Sequence, residues 1–594
     1  MNILYSITIL GIYILFMLIH KTDKKQNVIT WCALSSILVI CYNILVSLIY
    51  TFMGILCTLQ NLSIFNIVIL LIFSTILLKT KKTQKYYLKK SDLAFSIILL
   101  ILTMFIGYKQ YGFPFNIKYE ITDGSTHYFF AQQFYENSTM LYNEVTDDVL
   151  RIYNADFRLP GAYVNEGILF KIFEGIVLQT DLFILFDLFV LYLSGLLFFS
   201  LLKTYTKENK ILSILAMVFS MTYMFGYQLN SMLYGYVYLS LALDIIIGFL
   251  VLLINYQKEK INAMIALPIL AVLSFGIFFT YAYFIPIIYV SIIINIIVNS
   301  LKNKEKIISS NNIVKVIYII VIPAILGISY FIIFPLINGT QTEISTIGTE
   351  GHIYQNYITN YLFFIPILLS GIVLLRDKKE NYFTEILLMM SILFAIILFV
   401  GEKFNIVSTY YFFKSYYIIW LLAILETFSS ICNSNFKKKW EIITYIYIGT
   451  YIISILLPTL AFRKNIGIND IFYNNTKSIQ NDSYIVKNEE ISVIEKAKKI
   501  AGDNEIYVLA PRQIGRAQWL SVLHKNQLIF IDYMTVTPIT IEKWLADKEE
   551  KYYLAYHQEY KEEAESTEYL EESNPNYKII YNDEYVFILQ RISE

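Results

Sequence analysis

The sequence predicts a polytopic α-helical membrane protein, with about fourteen spanning helices in residues 1–462 and a soluble α/β domain in residues 463–594. Three observations predict it. Of 594 residues, 56% are hydrophobic and 16% charged, whereas soluble globular chains carry about a quarter charged residues. Apolar runs long enough to cross a hydrocarbon core of about 30 Å recur from Met1 to about Leu460. The connections between these runs alternate between basic and non-basic.

The first run, near residues 2–20, has no basic residue ahead of it. It leads into Lys21, Lys24 and Lys25 without a small-residue cleavage site, so it reads as a retained anchor. Further spans are expected near residues 29–57, 62–78, 92–107, 182–202, 211–227 and 236–255, the long second one bent or split in two. The remainder fall near 262–282, 284–300, 313–337, 360–375, 383–400, 412–431 and 440–460. Alternate connections are basic: Lys21 to Lys25, Lys79 to Lys90, Lys203 to Lys210, Lys258 to Lys260, Lys302 to Lys306, Arg376 to Lys379 and Lys437 to Lys439. The positive-inside rule puts these in the cytoplasm. Residues 108–181, 338–359, 401–411 and everything after about Phe462 then face outward, which places a multi-pass protein in the plasma membrane with an extracytoplasmic C-terminal domain.

In the tail, strands are expected at Ile506 to Leu509, Leu528 to Ile531, Tyr552 to Tyr556, Tyr577 to Tyr581 and Tyr585 to Leu589, with Asn582-Asp583 supplying turn chemistry. Helical spacing appears at Ile491 to Ile500 and Ile514 to Leu523. Lys and Arg number 47, as do Asp and Glu, so net charge gives no attraction to nucleic acid. Cys32, Cys41, Cys57 and Cys432 lie in or beside apolar segments, which excludes a disulfide framework and a Cys-based metal site in the loops.

The outward segment 108–181 is too long for a plain connection. Asp123 stands at the expected start of an amphipathic helix through Tyr135, placed to cap it, with Thr126 and His127 in the first turn. A second amphipathic stretch, from Phe157-Arg158-Leu159-Pro160-Gly161 to Phe170, suits the membrane surface.

In these features the chain resembles the GT-C superfamily of membrane glycosyltransferases. Asp123 matches the acid near the start of that family's large first outer loop, and Tyr128 to Tyr135 and Leu159-Pro160-Gly161 match its flanking aromatic and Pro-containing pattern. One departure is that three spans precede the helix leading into the loop. The resemblance implies transfer of a hexosyl or pentosyl unit from a polyprenyl-phosphate carrier to a glycan, lipid or protein acceptor at the outer face. A carboxylate within reach of the acceptor hydroxyl takes its proton, and cationic or hydrogen-bonding groups hold the leaving phosphate.

Asp123 is the candidate for the first role. For the second we single out His127, the segment Glu350-Gly351-His352-Ile353-Tyr354, and above all Lys414, a lysine at the outer start of an apolar helix, against the cytoplasmic bias of lysines. Each has a plainer reading: Asp123 as a helix cap, Lys414 snorkelling to the interface, His127 and His352 as surface polar residues. No cofactor is demanded, and Asp147-Asp148 is the pair that could contribute to a divalent metal site. The competing functions are a multi-span transporter, for which Asp187 and Asp244 inside spans speak, a flippase or polymerase for lipid-linked oligosaccharide, and a non-enzymatic assembly protein.

Overall fold

The computed structural model describes residues 2–18, 26–79, 86–118, 122–141, 159–206, 209–258, 261–338, 383–433, 471–480, 484–502, 504, 506–509, 516, 519–520, 522–523, 528–531, 552–556 and 576–592. Two compact units account for the chain: Met1–Ile106, Ala131–Asn143 and Asp156–Ile479 form one, and the other gathers Gly107–Phe130 with Glu144–Ala155 and Gln480–Glu594. The linear boundary expected at 462/463 lies outside the described residues, as do Asp147-Asp148.

The first unit is helical. Its elements are α1 (Asn2–Leu18), α2 (Val28–Phe52), α3 (Leu59–Lys79) and most of α4 (Lys90–Tyr111), and after the loop α6 (Gly161–Ile172) and α7 (Gln179–Lys203). There follow α8 (Lys210–Leu233), α9 (Val237–Gln257), α10 (Ala263–Tyr281), α11 (Ile285–Asn303), α12 (Ser310–Ile333), α13 (Phe383–Lys403), α14 (Thr409–Asn433) and the short α15 (Ile471–Gln480). Among the described residues, nine helices are long and apolar enough to cross a membrane when α10 and α11 are taken as one. Asn2–Leu18 and Leu59–Thr75 are shorter apolar helices. Helices thus stand at all the expected spans except those near 360–375 and 440–460, which lie outside the described residues. The chain is an integral, multi-pass membrane protein. The long second span is one helix, neither split nor extended to residue 57, because the chain turns at Met53 and Gly54, with Gly54 at φ +68°.

Helix α9 is buried almost from end to end, whereas α12 and α13 expose apolar side chains such as Ile325 and Ile396. That is the pattern expected when lipid is the solvent of the outer helices, since it leaves apolar surface no reason to hide. Close approach inside the bundle relies on small residues: a Cβ on Gly276 of α10 would run into Cys41 Sγ on α2. At the expected cytoplasmic side, β1 (Gln26–Asn27) pairs in parallel with β2 (Tyr86–Tyr87). Asn27 caps α2 by accepting from Ile29 N and donates to Asp92 Oδ2 at 2.6 Å, and Lys203 lies 3.4 Å from Asp92 Oδ1. Two basic connections are therefore tied together through one buried aspartate.

Helix α6 corrects an expectation. Instead of lying at the membrane surface, it is buried over nearly its whole length, packed on α1, α2, α3, α7, α9 and α10. Glycine makes this possible: a Cβ at Gly161 would meet Phe279 O at 2.6 Å, so the two backbones touch. Its polar residues are accommodated in the interior, with Asn165 Oδ1 accepting from Asn43 Nδ2 at 3.0 Å and Asn43 Oδ1 accepting from Tyr5 Oη at 3.1 Å.

The second unit holds a five-stranded sheet of order β6-β5-β7-β9-β8, from β5 (Ile506–Leu509), β6 (Leu528–Ile531), β7 (Tyr552–Tyr556), β8 (Tyr577–Asn582) and β9 (Val586–Arg591). Strands β6, β5 and β7 run parallel, and β9 is antiparallel to both β7 and β8. The expected turn closes the hairpin, with Asp583 Oδ1 accepting from Tyr585 N and Val586 N at 2.8 and 2.9 Å. Helix α16 (Asn488–Ala501) covers the expected helical stretch, and Glu490 on it meets buried Arg516 in a bidentate pair at 2.8 and 2.9 Å. An unforeseen strand, β4 (Tyr484–Val486), pairs antiparallel with β3 (Ile117–Lys118) from the start of the outer loop.

Candidate functional site

Three turns at the expected outer ends of the spans bring tyrosines together in the first unit. The turn between α8 and α9 is closed by Gly235 at φ +75°, a conformation open to glycine, with Tyr236 N donating to Ser231 O at 2.8 Å. It presents Tyr236 and Tyr238. Helix α10 ends at Tyr281, and a tight turn leads into α11, whose first turn carries a proline. Ser408 heads α14, whose first turns carry Tyr410, Tyr411 and Lys414.

Lys414 is 2% exposed. Its Nζ donates to Tyr238 Oη at 2.7 Å and lies 4.0 Å from the ring centre of Tyr410. It is 4.9 Å from Tyr236, 5.1 Å from Tyr238 and 5.4 Å from both Tyr281 and Tyr411. The rings brace one another: Tyr238 meets Tyr281 at 5.2 Å and Tyr410 meets Tyr411 at 5.2 Å, while Tyr283 Oη donates to Tyr411 O at 2.7 Å. The rings of Tyr236, Tyr281, Tyr410 and Tyr411 within 5.4 Å, together with the Tyr238 hydroxyl, compensate an ammonium that would be expensive to keep in a membrane bundle. Such a group is a preformed, desolvated positive charge suited to an anion carrying several oxygens. A plain snorkelling lysine would extend its head to water, and the burial of Lys414 Nζ among rings departs from that.

The other sequence candidates distribute as follows. Asp123 and His127 lie on α5 (Thr122–Asn137), whose first part belongs to the second unit. The helix begins at Thr122, which puts Asp123 in its first turn and His127 in the second. An acid there is favoured by the helix dipole. His127 is buried, and the neighbouring Tyr128 packs on Trp519 at 5.7 Å within the same unit. Glu350, His352 and Tyr354 lie outside the described residues.

Among the described residues, no group of three His, Cys, Asp or Glu is arranged to hold a metal ion. Glu166 on α6 is fully buried, and its carboxyl is held well above the ordinary range, first by burial and then by the nearby Asp187. Asp244 on α9 is buried beside Ser194 of α7 and Tyr223 of α8. Ser194 is the neighbouring hydroxyl within reach of the Asp244 carboxyl, as burial would call for, although in this structure its Oγ donates to Val190 O.

The charge bias singles out Lys414 in the sequence, but nothing comparable singles out Tyr236, Tyr238 and Tyr281. Their signal is only the close spacing of tyrosines, Tyr234, Tyr236 and Tyr238, then Tyr281 and Tyr283, at successive outer span ends.

No family model matches the chain, and no curated protein does. Solved structures similar to it include the following two. One is the crystal structure of ArnT from Cupriavidus metallidurans bound to undecaprenyl phosphate, at 9% identity and a TM-score of 0.49, over 84% of this chain and 98% of that one. The other is the archaeal oligosaccharyltransferase AglB from Archaeoglobus fulgidus in complex with an inhibitory peptide and a dolichol-phosphate, at 10% identity and a TM-score of 0.40, over 79% of this chain and 70% of that one.

Proposed function

We propose that this protein transfers a sugar from a polyprenyl-phosphate carrier to an acceptor at the outer face of the plasma membrane. The observation that carries the reading is the Lys414 ammonium, buried in a cage of tyrosine rings at the end of the bundle that the charge pattern assigns to the outside. In this reading Lys414 holds the phosphate of the lipid donor, and His127, Glu350, His352 and Tyr354 contribute to donor binding. Asp123 takes the proton of the acceptor hydroxyl as its oxygen bonds to the anomeric carbon. The bond from that carbon to the phosphate oxygen breaks with its electron pair, and the carrier leaves as polyprenyl phosphate. One carboxylate suffices for this inverting displacement, and Gln480–Glu594 belongs to the extracytoplasmic domain.

The test is transfer by the purified protein in lipid nanodiscs, supplied with polyprenyl-phosphate sugars and read as release of polyprenyl phosphate. Asp123→Asn should lower turnover by about two to four orders of magnitude while donor binding and thermal stability hold. Normal turnover in that variant would reduce Asp123 to a structural residue of α5.

A further inference from the structure

We propose that Asn475, on the short helix α15, is a positioning residue for the Lys414 cage. Helix α8 is irregular near its outer end: residues Met224–Gln228 form a π turn, and Gly226 has φ −84° and ψ −114°, outside the helical range. Such interruptions weaken the backbone ladder and often occur at functional sites. Asn475 sits against this one. Its Nδ2 donates to Phe225 O and to Gly226 O, both at 2.9 Å. Its Oδ1 accepts from Asn230 Nδ2 at 2.9 Å, and Asn230 Oδ1 accepts from Tyr417 Oη at 2.8 Å.

Asn475 and Asn230 are each 2% exposed and Tyr417 is fully buried, so the chain of three side chains lies away from water, where hydrogen bonds are stronger and an unpaired partner is costly. Tyr227, inside the irregular turn, stacks edge-on against Tyr417 at 4.8 Å and Trp420 at 5.1 Å. The clamp therefore joins α15, the kink of α8 and α14.

Those last two helices carry the cage. Tyr417 lies three residues beyond Lys414 on α14, one helical turn away. Beyond Asn230 on α8, Ser231 Oγ donates to Tyr236 O at 2.9 Å, which fixes the turn that delivers Tyr236 to the cation. Asn475 sets the register between α8 and α14, and with it the fit of Tyr236 and Tyr410 around Lys414. A sequence without the kink could lock two straight helices by apolar packing alone; here a polar side chain supplied from some 245 residues away completes the contact. The functional meaning of this role rests on the reading of Lys414 as the phosphate-binding group.

The experiment acylates lysines of the full chain in nanodiscs with an amine-reactive ester and measures the modification of Lys414 and of buried Lys171 by peptide mass. Asn475→Ala should speed Lys414 acylation by about tenfold, the equivalent of one lost hydrogen bond, with Lys171 unchanged. Tyr417→Phe should act in the same direction, and the double variant should go no further than Asn475→Ala alone, since both cut one chain. Where Asn475→Ala fails to fold, Tyr417→Phe alone decides. Unchanged Lys414 acylation in the folded variants, a parallel rise at Lys171, or simple additivity would overturn the proposal. Binding of polyprenyl phosphate to Lys414→Ala separates the two readings. If that variant binds as the native chain does, the phosphate role of Lys414 falls, while the acylation result still judges Asn475.

Discussion

Lys414→Ala removes the cation and leaves the five tyrosine rings in place, which makes it the most informative single change. In the native chain Nζ makes a charge-assisted hydrogen bond of 2.7 Å to Tyr238 Oη and sits 4.0 Å from the ring of Tyr410, so the charge is held ready and dry. A hydrogen bond to a charged partner is worth about 1.5–3 kcal/mol net. Losing one such contact to a lipid phosphate should weaken binding by about 2–3 kcal/mol, or roughly 30- to 150-fold in Kd.

A second effect opposes a large loss of stability, because deleting a buried cation also deletes its desolvation cost. Tm should therefore change little even as affinity collapses. Lys414→Arg should restore binding only in part, since a planar guanidinium is wider than the compact ammonium that the rings flank. The assay is titration of polyprenyl phosphate into the nanodisc-embedded variants, beside their thermal unfolding. Native affinity in a folded Lys414→Ala variant would refute the reasoning, and so would full rescue by arginine.

Three further outcomes are expected. A reporter active only outside the cytoplasm should be active when fused after Glu594 or inserted near Asn143 and silent near Lys85; the reverse pattern would remove the outward-facing site. Asp244→Asn, a neutral replacement of nearly the same shape, should preserve sugar transfer, whereas a proton-coupled uptake activity that disappears in this variant would favour the transporter. Lys171, buried at the end of α6 and donating to Ser138 Oγ, is pushed down from its ordinary 10.5 to about 8, by burial first and against the opposing pull of Cys57 and Glu174. Below pH 8 its charge costs the folded state up to about 3 kcal/mol. Between about 8 and 10.5 the unfolded chain binds more protons than the folded one, so stability rises with pH across that window. Lys171→Met should flatten that rise in Tm, and equal slopes in the two proteins would contradict it.

The sequence by itself determined where the chain meets lipid and where it meets water. Transfer of a side chain between solvents is a local property, nearly additive along a run, so the spans at α2, α7, α9 and α14 and the strands β5 to β9 could be read within a few residues of their observed ends. The hairpin turn at Asn582-Asp583 was legible for the same reason: its hydrogen bonds join residues two and three apart. Lys414 stood out because a lysine at an outer helix start departs from the charge bias.

Only the tertiary structure decided what surrounds that lysine. Tyr238 is 176 residues from it, and no window of sequence reports which of fifty tyrosines will turn its ring toward it. The same holds for α6, whose amphipathic pattern suits a membrane surface as well as a polar interior. The glycine contact with Phe279 and the asparagine pair on α2 and α6, absent from any local pattern, chose the interior. Asn475 is the extreme case: an ordinary asparagine on a short helix, given its place by the backbone kink at Gly226, because the carbonyls it binds face it only once two distant helices have packed.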